Sequence, residues 1–213
     1  MPEFTAVERA LLRALAAIAD AMAPPVVTPP VADALTPPVV DAKLTGGDDA
    51  KLTGGDEAKL TGGDRAMLIG GHFSTLTGGD LAMLVGGTRA MLTGGDEAKL
   101  TGGHGSRLTG GDDSTLTGGL GAILVGGDRS TLTGGDHSLL TAGDHSLLVG
   151  GDGATFTAGA GSCLIAHWWD DYFGYQSDRA RIAEIGEDDK GGLLPKVPYR
   201  WVEGQWVSLP DVA

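Results

Sequence analysis

The sequence predicts an all-β fold, a parallel β-solenoid of about eight 16-residue coils, and three observations lead there. First, an octapeptide of consensus Gly-Gly-Asp-x-(Ala/Ser)-x-Leu-Thr repeats from Asp41 to Ile165. Its leucine position falls at Leu44, Leu52, Leu60 and on in unbroken steps of eight to Leu148, and Phe156 and Leu164 complete the series. Second, small, variable, large and polar residues alternate within each octad, the period of a strand with one buried face. Third, a glycine pair interrupts every such run, and glycine turns a chain sharply at φ > 0. A helix is excluded, because each of those glycines would cost about 1 kcal/mol relative to alanine.

One octad makes half a coil. Two make a flattened coil with a strand on each side, and such coils stack at ~4.8 Å per rung into an array roughly 40 Å long. Leu and Ala/Ser are expected to point inward. The residues flanking each Leu then point outward and form two flat faces.

Taken in order, residues 1–23 read as an amphipathic helix. Phe4, Val7, Leu11, Leu15, Ile18 and Met22 recur at three- and four-residue steps, with Glu3, Glu8, Arg9, Arg13 and Asp20 elsewhere. Acidic leading residues and an interrupted apolar run argue against a cleaved signal peptide. Residues 24–40 are proline-rich, and Pro29-Pro30 and Pro37-Pro38 stand where later octads carry Gly-Gly. Proline cannot donate to a ladder and blunts an open sheet edge, so this stretch is expected to cap the first coil. Residues 41–165 are the array. Residues 166–213 hold all four Trp and all three Tyr. Large aromatics such as Trp168, Trp169, Tyr199 and Trp201 suit a cover for a leucine-lined coil end, here expected as an irregular α+β cap.

The net charge of −13 argues against nucleic acid or anionic membranes as partners, and no stretch is long and apolar enough to span a bilayer. A single Cys163 excludes an intramolecular disulfide and points to a reducing, cytoplasmic compartment, with export or surface display left open. His72, His104, His137 and His145 sit on or just after turns, no nucleophile–base set is suggested by spacing, and the glycine runs lack a phosphate-binding signature. The chain is therefore expected to be non-enzymatic, with no cofactor.

Two departures from the octad pattern are informative. The outward Thr becomes aliphatic at Ile69, Val85, Val125, Val149 and Ile165, and the outward residue before Leu is then apolar too: Met67, Met83, Ile123, Leu147 and Cys163. Counting in sixteens puts Met67/Ile69 beside Met83/Val85, and Leu147/Val149 beside Cys163/Ile165, on one face. Clustered exposed apolar groups mark contact surfaces, so these residues are the expected interface, with the chain itself as partner. Conversely, complete outward Thr pairs occur at Thr75/Thr77, Thr115/Thr117, Thr131/Thr133 and Thr155/Thr157. One turn edge carries Asp48, Asp64, Asp80, Asp96, Asp112, Asp128 and Asp144. Each is expected to accept N–H groups of its own glycine turn, with cation binding between rungs as the alternative.

The octads resemble those of bacterial ice-nucleation proteins, most closely at Ala142-Gly143-Asp144-His145-Ser146-Leu147-Leu148 and Ala158-Gly159-Ala160-Gly161-Ser162. The end of the chain is similar to that family's C-terminal cap at Trp169-Asp170, Gly191-Gly192 and Pro198-Tyr199. The resemblance implies a β-solenoid whose outward Thr-x-Thr rows order water into an ice-like sheet. The family's final basic coils are associated with multimerisation. Lys43, Lys51, Lys59, Lys99 and Arg107, with Asp64-Arg65 and Asp128-Arg129, are similar to those coils. With few complete Thr pairs, the chain looks like assembly coils plus cap, without the long ice-active array.

Overall fold

The computed structural model describes residues 41–172, 175–186, 193–202 and 205–209, with side chains outside 168–180. The helix expected over 1–23 and the cap at Pro29, Pro30, Pro37 and Pro38 lie outside these residues, as do Gly191-Gly192 and the side chains of Trp168 and Trp169.

One short strand occupies each octad. The first seven are β1 (Lys43–Thr45), β2 (Lys51–Thr53), β3 (Lys59–Thr61), β4 (Met67–Ile69), β5 (Thr75–Thr77), β6 (Met83–Val85) and β7 (Met91–Thr93). There follow β8 (Lys99–Thr101), β9 (Arg107–Thr109), β10 (Thr115–Thr117), β11 (Ile123–Val125), β12 (Thr131–Thr133), β13 (Leu139–Thr141), β14 (Leu147–Gly150) and β15 (Thr155–Thr157). Two long strands, β16 (Cys163–Tyr172) and β17 (Tyr175–Glu184), and two short ones, β18 (Tyr199–Val202) and β19 (Gln205–Ser208), end the chain.

Through β16, odd-numbered strands build one sheet and even-numbered strands the other, each pairing in parallel with the strands sixteen residues away. Lys59 lies opposite Lys43 in the odd sheet, and Thr131 opposite Thr115 in the even one. A coil is thus two octads, and the described residues form a parallel β-solenoid of eight coils. The interior is a stack of leucines closed by Phe156 and Leu164, flanked by Ala or Ser two residues earlier. From Leu60 onward its leucines are at most 1% exposed, whereas Leu44 in the first coil is 38% exposed. Burying each such leucine contributes about 1.5–3 kcal/mol.

The glycine pairs turn out to be needed for space rather than rotation. Positive φ falls two residues later, on the variable residue after Asp: 57° at Asp49, 56° at Arg65 and 58° at Leu81. A glycine fills this slot at Gly105, Gly121, Gly153 and Gly161. A side chain there costs about 1–2 kcal/mol, and an inter-coil bond holds it in place. The Arg65 N–H donates to the Asp80 carbonyl at 2.8 Å, and Glu97 to Asp112 likewise. The first glycine of a pair leaves room for the inward Ala or Ser: a Cβ on Gly94 would lie 2.6 Å from Ala98 Cβ. The second lets coils stack: a Cβ on Gly95 would overlap the Asp80 carboxylate and lie 2.9 Å from Asp80 N.

The described part of the C-terminal cap is all-β rather than α+β. Its described residues contain no helix, and 178–184 are strand. β16 and β17 form an antiparallel hairpin extending the even sheet, while β18 and β19 extend the odd sheet with Tyr199 opposite Phe156. The physical reason is that a last rung exposes a whole row of ladder groups, and added strands satisfy many of them at once. Remaining groups at the coil end find partners in the connecting segments. Ile185 N donates to Ser162 O at 2.8 Å, Gly161 N to Ile185 O at 3.0 Å and Lys196 N to Ala158 O at 2.7 Å. Phe156 packs edge-to-face on Trp206 at 5.5 Å, which meets Trp201 in the same way. Tyr199 is buried, and its hydroxyl accepts the Leu194 N–H at 2.9 Å.

Candidate functional site

The even sheet holds eight of the ten predicted interface residues, in two separate patches. Met67/Ile69 on β4 and Met83/Val85 on β6 are in register, side by side, and 37–42% exposed. Leu147/Val149 on β14 adjoin Cys163/Ile165 on β16 in the same sheet, half-buried. Between these two patches lie β8, β10 and β12. Ile123 and Val125 are on β11 in the other sheet and join neither patch. Burial raises the Cys163 thiol above its ordinary value, with the Glu184 carboxylate adding to the effect.

Some exposed apolar residues escaped the pairwise criterion. Met91 and Leu139 stand in the outward position before Leu but are followed by Thr, so only half the pattern fails. Both are exposed on the odd sheet, Leu139 beside Ile123. Ile182, opposite Ile165 across the hairpin, extends the second patch and is 63% exposed.

The Thr pairs divide similarly. Thr115/Thr117 and Thr131/Thr133 are adjacent rungs of the even sheet and form a square of hydroxyls, exposed except for the half-buried Thr131. Thr75/Thr77 on β5 and Thr155/Thr157 on β15 lie far apart in the odd sheet. Thr155 does not face water: it is buried, and its Oγ1 accepts a hydrogen bond from Arg200 of the cap at 3.0 Å.

The aspartates at the turns form a ladder of a kind not anticipated. Asp48 Oδ1 accepts the backbone N–H of Asp64, one coil on, at 3.0 Å, rather than one of its own glycine turn. Asp64, Asp80, Asp96, Asp112 and Asp128 repeat the bond at 2.8–3.0 Å, and Asp144 ends it on Ala160 N at 2.9 Å. The cause is geometric: the residue after Asp is left-handed, which aims the Asp side chain along the stack. The opposite edge does the same with fewer members. Asp56 accepts from His72 N, His72 Nδ1 from Thr88 N, and Asp136 from Asp152 N. Like charges one rung apart repel, and an N–H on each Oδ1 offsets this.

Asp96→Ala should therefore cost about 1–2 kcal/mol. Asp96→Asn, which keeps the acceptor and relieves repulsion, should be neutral or slightly stabilising. Thermal melts of both variants check this; equal losses would show that charge, not the acceptor, matters.

Two basic residues singled out by the sequence also bind along the stack. Arg65 Nε and Nη2 grip Asp49 at 2.8 and 2.7 Å, and Arg129 holds Asp113 at 2.9 and 2.6 Å. These hydrogen bonds hold the Asp49 and Asp113 carboxyls below the usual carboxylate range. Their stabilising contribution is present above the unfolded carboxylate pKa and lost as pH falls through the lowered value. Both pairs are exposed, so the contribution is small.

Among the described residues, no three His, Cys, Asp or Glu side chains converge where a metal ion could sit, and no helix is long and apolar enough to cross a membrane. Compared with protein-family models, curated proteins and solved structures, the chain has no significant match.

Proposed function

We propose that this is a non-enzymatic, self-associating structural β-solenoid, similar in kind to the assembly coils and cap of ice-nucleation proteins. The observation that carries the reading is the outward face of the even sheet, where Met67, Ile69, Met83 and Val85 form a contiguous exposed apolar patch flanked in the same columns by Lys and Thr. A solvated repeat gains nothing by placing Met and Ile there, whereas an interface does. The Lys-bearing rungs on either side, Lys51 and Lys99, supply a polar rim.

Changing Met67, Ile69, Met83 and Val85 together to Thr introduces only a residue already found in the array's outward columns. The variant should fold normally and weaken association at least tenfold, giving monomer where the parent is dimer or larger in sedimentation equilibrium. An unchanged mass would remove this interface.

A second reading, binding to an ice or ordered-water surface, is favoured by the hydroxyl square at Thr115, Thr117, Thr131 and Thr133. Its spacings are ~6.7 Å along the strand and ~4.8 Å between rungs. Four hydroxyls are a small template for a mechanism that depends on area. Droplets of purified protein should accordingly freeze close to the buffer blank; freezing well above it would transfer the function to these threonines.

A further inference from the structure

We infer that the even-numbered sheet pairs face to face and antiparallel with the same sheet of a second copy, about a two-fold axis lying along the strand direction through β10. The inference rests on the self-association reading above and supplies its partner geometry. In spatial order the sheet runs β2, β4, β6, β8, β10, β12, β14, β16, β17, so β10 is the fifth of nine rows.

Rotation about that row keeps each outward column facing itself and reverses the order of rows. It lays Met67 and Ile69 on the partner's Cys163 and the partner's Ile165. Met83 and Val85 fall on the partner's Leu147 and the partner's Val149. Each apolar row thus meets an apolar row, although the two patches differ in sequence and lie four rows apart or more. Threonines from β10 face their own copies at the axis, and Lys99 on β8 meets the hydroxyl of the partner's Thr131 on β12.

The outermost rows decide the orientation. Lys51 on β2 and Glu184 on β17 are the ends of one outward column, since Lys51 pairs with Met67 and Glu184 lies opposite Cys163. Both are exposed. The antiparallel rotation brings Lys51 onto the partner's Glu184, twice per dimer. A parallel pairing would also match patch with patch, but it exchanges the two columns. Lys51 would then face a threonine, and Glu184 would face the partner's Ile182, leaving a carboxylate against an aliphatic side chain. Charge complementarity therefore selects the antiparallel form.

Nine rows span about 40 Å, and a face about 12 Å wide gives roughly 500 Å² per copy, the low end for a specific interface. Association is accordingly expected at micromolar rather than nanomolar concentrations.

The single native thiol provides the test. With Met67→Cys in the full chain, mild oxidation above the association midpoint should give a covalent dimer joined to the native Cys163. Adding Cys163→Ser should abolish it, because the introduced thiols of two antiparallel copies lie six rows, about 29 Å, apart. The unaltered protein should not cross-link within the dimer, for the same reason. A dimer in sedimentation without this disulfide would overturn the antiparallel register while leaving self-association standing. A cross-link that survives Cys163→Ser would likewise overturn the antiparallel register. A monomer at every concentration would overturn both readings, and protection of Met67 and Met83 from oxidation in that monomer would give the face to residues 1–40 of the same chain.

Discussion

Gly95→Ala should destabilise the array by roughly 3 kcal/mol, while Gly47→Ala, at the same position of the octad, should change stability by less than about 1 kcal/mol. Both residues are the second glycine of a pair, and neither has positive φ. They differ in what lies beneath. A methyl group on Gly95 would overlap the Asp80 carboxylate and press on backbone, 2.9 Å from Asp80 N and 3.0 Å from the Gly79 carbonyl carbon. The carboxylate can swing aside only by giving up its hydrogen bond to Asp96 N, and the backbone cannot move without parting two coils. Among the described residues, a methyl group on Gly47 meets nothing within 4 Å. There the alanine only narrows the unfolded ensemble, an effect of about 0.4–1 kcal/mol in favour of folding. Because repeat arrays can unfold in pieces, amide exchange at the Gly95 N–H, bonded to Gly79 O at 3.0 Å, should be followed alongside urea melts. Equal midpoints for the two variants would mean that the glycines serve rotation after all.

Leu100→Ala should cost about 3–5 kcal/mol, against less than about 0.5 kcal/mol for its outward neighbour Lys99→Ala. Leu100 is 1% exposed, stacked between Leu84 and Leu116 in the even sheet. Rungs above and below fix the spacing at which its neighbours sit, so the void cannot collapse and nearly the whole cavity cost is retained. Denaturant unfolding of both variants measures the difference. A loss near 1 kcal/mol for Leu100→Ala would show an interior loose enough to refill the space.

The leucine stack was legible because a period of eight with strand alternation admits few other folds. The two apolar patches were legible because sixteen-residue arithmetic assigns every residue to a face. Three features were not. The left-handed slot accepts Asp, Glu, Arg, Phe, Leu and His, so composition hardly marks it. Only Gly105, Gly121, Gly153 and Gly161, glycines outside the pairs, hinted at it. The aspartate ladder was visible as one carboxylate per coil, but the acceptor's direction depends on that slot and could not be inferred before it. The cap's long strands lack alternation because side chains such as Ala183 and Arg181 face the coil end and its aromatics rather than a uniform leucine stack. Arg181 lies over the Trp201 ring at 5.7 Å.

A coil that closes only after two octads has a consequence for how such a gene can change length. Excising sixteen residues rejoins like to like, and every downstream side chain keeps its side of the molecule. Excising eight transfers everything downstream to the opposite side, so Leu147 and Cys163 would part company with Met67 and Met83, and the terminal hairpins would each meet the wrong sheet. Drift in copy number is therefore tolerated in pairs of repeats, and odd changes are filtered out by geometry alone.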